Sequence, residues 1–249
     1  MKKEKSSTLP YTPAIRTVLA FIWPVLIAVL VPILLFGTSI DATNTAQAPL
    51  LTGLGLTSWL IGMRWYGLPA LGLRGHRPLY ASIGFAVMSW VAFLLVRIGP
   101  VANTGINNEG LGRMFIFILL FEAFCVQLWT FGLFFRAVAD WRGPLPATIS
   151  SGILFGLAGF VTFTEAVPTL LCLSFFIVWG IFYGLIRVRT GGIIGMIIVH
   201  ALQSLTIWHL FLPQIPSAAD LQRFYLLTIS ILLILCWRLW PRREGDYRV

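Results

Sequence analysis

Residues 15–37 read IRTVLAFIWPVLIAVLVPILLFG. After Arg16 the stretch carries no charge to its end at Gly37. About 20 apolar residues at about 1.5 Å each cross the hydrocarbon core of a bilayer, so this run predicts a spanning helix. Pro24 and Pro32 each remove a backbone donor and are expected to kink it. A polar segment precedes the run, and its apolar core is too long and starts too late for a signal peptide. Ala46-Gln47-Ala48 has the small-x-small form of a cleavage site but lies well past that core.

Seven further apolar runs follow: Ala48 to Met63 (extended by Trp65 to Leu73), Leu79 to Ile98, Met114 to Val138, the shorter Ala147 to Phe163, Ala166 to Val188, Gly192 to Leu212, and Phe224 to Trp240. Gly99-Pro100, Gly143-Pro144, Pro146, Gly191-Gly192, Pro213 and Pro216 punctuate the gaps. The fold class read from this pattern is all-α: a polytopic membrane helix bundle of about eight transmembrane helices, with residues 1–249 as a single transmembrane domain. Composition agrees. The chain is 58% hydrophobic and 11% charged, against about 25% charged in soluble domains. Cys125, Cys172 and Cys236 all fall inside apolar runs, without metal or disulfide spacing, and read as small buried hydrophobes.

The net charge of +9 would suggest nucleic acid in a soluble protein, but here its placement speaks for topology instead. With the N-terminus inside, all of the 18 Lys and Arg except Arg97, Arg113 and Arg223 fall in inner segments, as the positive-inside rule requires. Both termini are therefore expected in the cytoplasm, and Thr38 to Gln47 and Gly99 to Gly112 outside. The membrane expected is the bacterial cytoplasmic (inner) membrane. Trp65, Trp141, Trp237 and Trp240 near run ends fit interfacial belts. No internal repeat and no soluble domain is visible.

Polar side chains at bilayer depth are costly and mark candidate sites. Glu122 and Gln127 lie on the fourth run; His200, Gln203, Ser204 and His209 lie on the seventh. His200 and Ser204 are four apart and share a helix face, bordered by Gln203. On a regular helix Glu122 stands one turn before Val126 and about a turn and a half before Gln127. A Glu122–His200 contact would serve either as a metal or proton site or as a polar clamp between helices. Catalytic zinc wants three protein ligands and only these two are at hand, so the clamp is preferred. Arg97 and Arg136, near helix ends, are expected to snorkel. Glu165 and His209 read as solvated interface residues.

Residues 126–159 read VQLWTFGLFFRAVADWRGPLPATISSGILFGLAG. This stretch, with Gly191-Gly192 and His200-Ala201-Leu202-Gln203-Ser204 downstream, resembles the CAAX protease and bacteriocin-processing (CPBP, Abi) family of intramembrane metalloproteases. That family shows EExxxR, a glycine, an arginine, a Gly-Pro turn, a Ser-rich helix ending in FxxxH, and a third motif HxxxN. Gly132, Arg136, Gly143, Pro144, Ser151, Phe155, Gly156 and Leu157 fall on its pattern without a gap, and the resemblance covers about residues 115–210. The departures carry more weight. The paired glutamates fall on Val126 and Gln127, the motif arginine on Phe131, the FxxxH histidine on Gly159 and the HxxxN asparagine on Ser204. Only His200 remains of the residues that the resemblance implies for metal and water.

Val126 offers no lone pair, and the Gln127 amide is no base. Losing a general base costs about 10²- to 10⁴-fold, and losing the ligands removes a metal mechanism. The reading is a pseudoenzyme: a non-catalytic accessory, assembly or hydrophobic-ligand-binding subunit of a membrane complex. It is expected to need no cofactor and to meet the lipid bilayer, other membrane subunits, and a lipid, isoprenoid, quinone or pigment, but no nucleic acid. Small residues on the fifth run (Ser150, Ser151, Gly152, Gly156, Gly159) leave a groove for a helix, a lipid tail or an isoprenoid chain. One alternative is a divergent endopeptidase with zinc held through Glu122 and His200. Another is a pigment or quinone binder with His200 as axial ligand. A transporter lacks support, for no paired broken helices or inverted repeat are seen.

Overall fold

The computed structural model describes residues 9–37, 47–99, 110–162, 170–211 and 217–248. Glu165, Pro213, Pro216 and the bodies of the Thr38–Gln47 and Gly99–Gly112 loops lie outside the described residues. The described residues form helices and no strand: α1 (Pro13–Phe36), α2 (Gln47–Trp65), the short α3 (Gly67–Ala70), α4 (Arg77–Ile98), α5 (Leu111–Arg142), α6 (Pro144–Thr162), α7 (Leu170–Thr190), α8 (Ile194–Leu210) and α9 (Ala218–Leu239). Each apolar run of the sequence falls on one of these helices. Six described helices, α1, α4, α5, α6, α7 and α9, are long and apolar enough to cross a membrane; α2 and the shorter α8 complete the bundle. The chain is a helical integral membrane protein.

Local chemistry sets the helix ends. Thr12 caps α1, its Oγ1 accepting from Ile15 N, and Pro13 opens the helix where no amide partner is needed. Helix α1 runs through both Pro24 and Pro32. Ser217 caps α9 by accepting from Asp220 N at 3.2 Å. Between α5 and α6 the chain reverses at Gly143, whose φ of 91° suits glycine.

Contacts between helix ends fix the topology. Arg16 NH1 reaches both Tyr66 Oη and Asp140 Oδ2 at 3.0 Å, joining the start of α1 to the ends of α2 and α5. Ile193 N donates to Gly72 O and Arg248 N to Val188 O, each at 2.8 Å. These bring the α3–α4 connection, the α7–α8 turn and the chain tail to that same end. At the opposite end Arg97 donates to Phe211 O at 2.6 Å. Successive long helices therefore alternate in direction, and the described arginines crowd one end of the bundle, with Arg97, Arg113 and Arg223 at the other. Arg97 does not snorkel as expected: it is 4% exposed, its NH2 drawn into the bundle by the Phe211 carbonyl.

Helix α7 is the central rod, 67% of its apolar window being buried against 22% for α1. Its closest neighbour is α6. A Cβ on Gly152 would stand 2.6 Å from Ile181 N, one on Gly156 2.8 Å from Ile177 Cα, and one on Gly184 2.9 Å from Thr148 O. The two backbones touch, as small residues permit in membranes. The groove expected on α6 is thus filled by α7 of the same chain, and at Gly159 by the ring of Phe176, 2.7 Å from where a Cβ would be. The three cysteines are buried and unbridged.

Candidate functional site

The polar residues of α5 and α8 meet beside the aromatic face of α7. Helix α5 is not regular: Ile118–Cys125 and Leu128–Phe134 are wound as π-helix. Five residues on an α-helix are separated by about 140°, whereas π-winding closes a turn in about five. That change of pitch lets Glu122 and Gln127, five apart, both meet His200, which regular helical spacing did not foresee. Gln127 Nε2 lies 3.3 Å from His200 Nδ1, and Glu122 Oε1 lies 3.7 Å from His200 Nε2. With the Gln127 amide nitrogen as donor, Nδ1 is the acceptor and the ring proton is left to Nε2, on the side of the carboxyl. Ser204 Oγ donates to Glu122 Oε1 at 3.1 Å, and Ser89 of α4 donates to Gln203 Oε1 at 3.2 Å. Glu122, Gln127, His200, Gln203 and Ser204 are all buried.

Aromatic rings wall this cluster. Trp179, Phe155 and Tyr183 stand 5.1, 5.6 and 5.9 Å from the His200 ring, centroid to centroid. Phe131, at the position of the motif arginine, packs on Phe155 at 5.7 Å. Val126, Phe155, Gly159, Phe176 and Trp179 close, with Glu122 and His200, a cavity of about 10 Å³, room for about one water. The structure thus gathers Glu122, Val126, Gln127, Phe131, Phe155, Gly159, His200 and Ser204 around one point. Gly132 and Arg136 are elsewhere. Gly132 packs against Leu71 O and Ile193. Arg136 pairs with Asp140 at 2.9 Å at the arginine-rich end. His209 lies half-buried in the last turn of α8.

Residues 108–206 match the family model described as type II CAAX prenyl endopeptidase Rce1-like. Over those residues the chain is similar to that family of membrane proteins. The matched span holds α5, α6, α7 and most of α8, which supply the cluster's residues except Ser89 of α4. No curated protein and no solved structure matches the chain. The metal of the family suits this site poorly. Among the described residues no group of three His, Cys, Asp or Glu side chains stands close enough to hold an ion. The one imidazole has Nδ1 taken by Gln127 and Nε2 turned to Glu122. Two donors that engage each other leave a zinc ion short of ligands.

One residue escaped the sequence reading. Arg187 was counted among loop charges, yet it is 1% exposed. Its Nε donates to Phe131 O at 3.2 Å and its NH2 to Ala70 O at 2.7 Å. The guanidinium lies 5.4 Å from the Phe135 ring centre. Gly72, at φ +85°, makes room for it: a Cβ there would stand 2.8 Å from Cζ. One side chain thus pins α7, α5 and α3 together beneath the polar cluster. The signal was in the sequence, because Arg187 lies inside the sixth apolar run.

Outside the membrane-spanning segments, the arginine-rich end has its own electrostatics. Burial raises the Tyr66 phenol to about 12. Backbone N–H groups of Arg242 and Arg243 hold the Asp246 carboxyl below its usual range, with Arg189 beside it.

Proposed function

We propose that this chain is a non-catalytic member of the CAAX-protease-like membrane proteins and serves as an accessory or assembly subunit. The observation that carries the reading is the capping of His200 Nδ1 by the Gln127 amide. A glutamine stands where the resemblance implies a glutamate, and it satisfies the imidazole instead of activating water. Val126 and Gly159 contribute only apolar wall to the same cavity. The cluster then acts as a clamp: Ser204–Glu122 and Gln127–His200 join α5 to α8, and Ser89–Gln203 joins α8 to α4. Polar pairs of this kind tie membrane helices together.

A cavity of about 10 Å³ favours a protein partner over an isoprenoid, quinone or pigment held inside the cluster. Such a partner would meet the outer faces of the bundle, where α1 exposes Leu34 and α9 exposes Trp237. By the positive-inside rule the arginine-rich end and both termini belong in the cytoplasm, and the membrane is the bacterial inner membrane. The test is an assay of the purified chain against prenylated CAAX peptides, beside a mild-detergent pull-down from native membranes. The reading expects no cleavage and a stoichiometric membrane-protein partner. Peptide cleavage abolished by Glu122→Gln would overturn it.

A further inference from the structure

Helix α9 exposes Leu226, Ser230, Leu233 and Trp237, spaced three or four apart, so one stripe of the helix faces lipid. Trp237 is the last of these positions and is 61% exposed. Two guanidinia lie against its ring, Arg238 at 5.3 Å and Arg242 at 5.9 Å from the centroid. Both arginines are exposed. Neither side chain has a hydrogen bond or an ion pair among the described residues. The nearby acid, Asp246, is taken by Arg189 and by the backbone N–H groups of Arg242 and Arg243. At the other end of the same helix, by contrast, Arg223 has Asp220 at 3.9 Å.

Two cations are thus gathered over one exposed indole where the apolar stripe ends, and no side chain described in the structure supplies an anion to them. Like charges held close repel, and stacking on the ring offsets only part of that. A phosphate between them would accept from both forks. An indole at the end of a lipid-facing stripe lies at headgroup level. We propose that Trp237, Arg238 and Arg242 form a binding site for the headgroup phosphate of an anionic phospholipid, in the leaflet at the arginine-rich end of the bundle. The preference for a net-negative lipid follows from the two uncompensated charges. Trp141 and Arg142 form a lesser version, a single guanidinium 4.3 Å from one ring, and serve as an internal control.

The full-length chain is reconstituted in mixed phosphatidylglycerol and phosphatidylcholine, and the lipids it retains are counted by native mass spectrometry. The native chain should retain phosphatidylglycerol preferentially. Retention should fall about fivefold for each arginine lost in R238Q/R242Q, fall less in R238K/R242K, which keeps the charges but not the forks, and be little changed in R142Q. Inorganic phosphate at millimolar concentration should not compete, which separates a lipid from a free anion. Unchanged phosphatidylglycerol retention in a folded R238Q/R242Q, or competition by inorganic phosphate, would overturn the proposal. If the double variant does not fold, R242Q alone decides: about a fivefold loss supports the site, and no loss contradicts it.

Discussion

Two regions hold polar groups at depth in this bundle, and they draw on different partners. In the mid-bundle cluster side chains pair with side chains: Ser204 with Glu122, Gln127 with His200, Ser89 with Gln203. At the arginine-rich end Arg16 and Arg189 also meet Asp140 and Asp246, but guanidinia there reach main-chain carbonyls of other elements as well: Arg187 to Phe131 and Ala70, Arg189 to Leu239. A side-chain pair depends on both residue types, so substitution of either partner rewrites it. A carbonyl is present whatever residue carries it, so the arginine pins tolerate change around them. Phe131 illustrates this, standing at a motif position while its carbonyl anchors Arg187. The cluster is where this chain departs from the motif residues of the family it resembles, and the pins hold the helices that surround it.

This contrast orders the expected effects. Arg187→Ala should be the most damaging, because it removes two charge-assisted hydrogen bonds to main-chain carbonyls at about 1–3 kcal/mol each and empties the space against Gly72. Thermal unfolding in detergent should show roughly 2–6 kcal/mol lost. A loss smaller than that of His200→Ala would break the comparison. His200→Ala orphans the Gln127 amide and should cost roughly 1–3 kcal/mol by the same measurement. Glu122→Gln keeps an oxygen to accept from Ser204, so its effect should stay within about 1 kcal/mol. A collapse of the fold in that variant would mean that the carboxyl carries more than a clamp.

The smallest effect belongs to the tail. The folded-state carboxyl of Asp246 titrates below its unfolded value. Its contribution is therefore present above the unfolded pKa of about 3.9 and is lost as pH falls through the lower, folded value. The hydrogen-exchange protection factor of Arg248 N, which donates to Val188 O, should be high at neutral pH and fall under strong acid. Asp246→Asn should lower it already at neutral pH. Equal protection in that variant would show that Tyr247, packed against the cluster of Phe135, Val138, Ala147 and Val188, holds the tail alone.

Much of the fold was legible because apolar run length follows from bilayer thickness, and each run found its helix. The pairing of Glu122 with His200 was legible as two costly residues with few places to go. The Gln127 contact was not, because π-winding in α5 changes the pitch and no residue type announces it. The groove on α6 was read from its glycines, but its occupant was not: Ile177, Ile181 and Phe176 of α7 are ordinary apolar residues until the two backbones meet. Arg187 was misplaced for a different reason. Charge near a helix end is usually solvated, and only the carbonyls of Ala70 and Phe131, distant in sequence, make burial affordable.

The central claim is that the cluster around His200 is a clamp and not a catalytic centre. Elemental analysis of the purified chain, with unfolding and prenylated-peptide cleavage followed in His200→Ala, tests it most directly. The account predicts no stoichiometric zinc, no cleavage by the native chain, and a lower unfolding temperature in the variant. One tightly held zinc per chain, lost together with cleavage in His200→Ala and in Glu122→Gln, would contradict it.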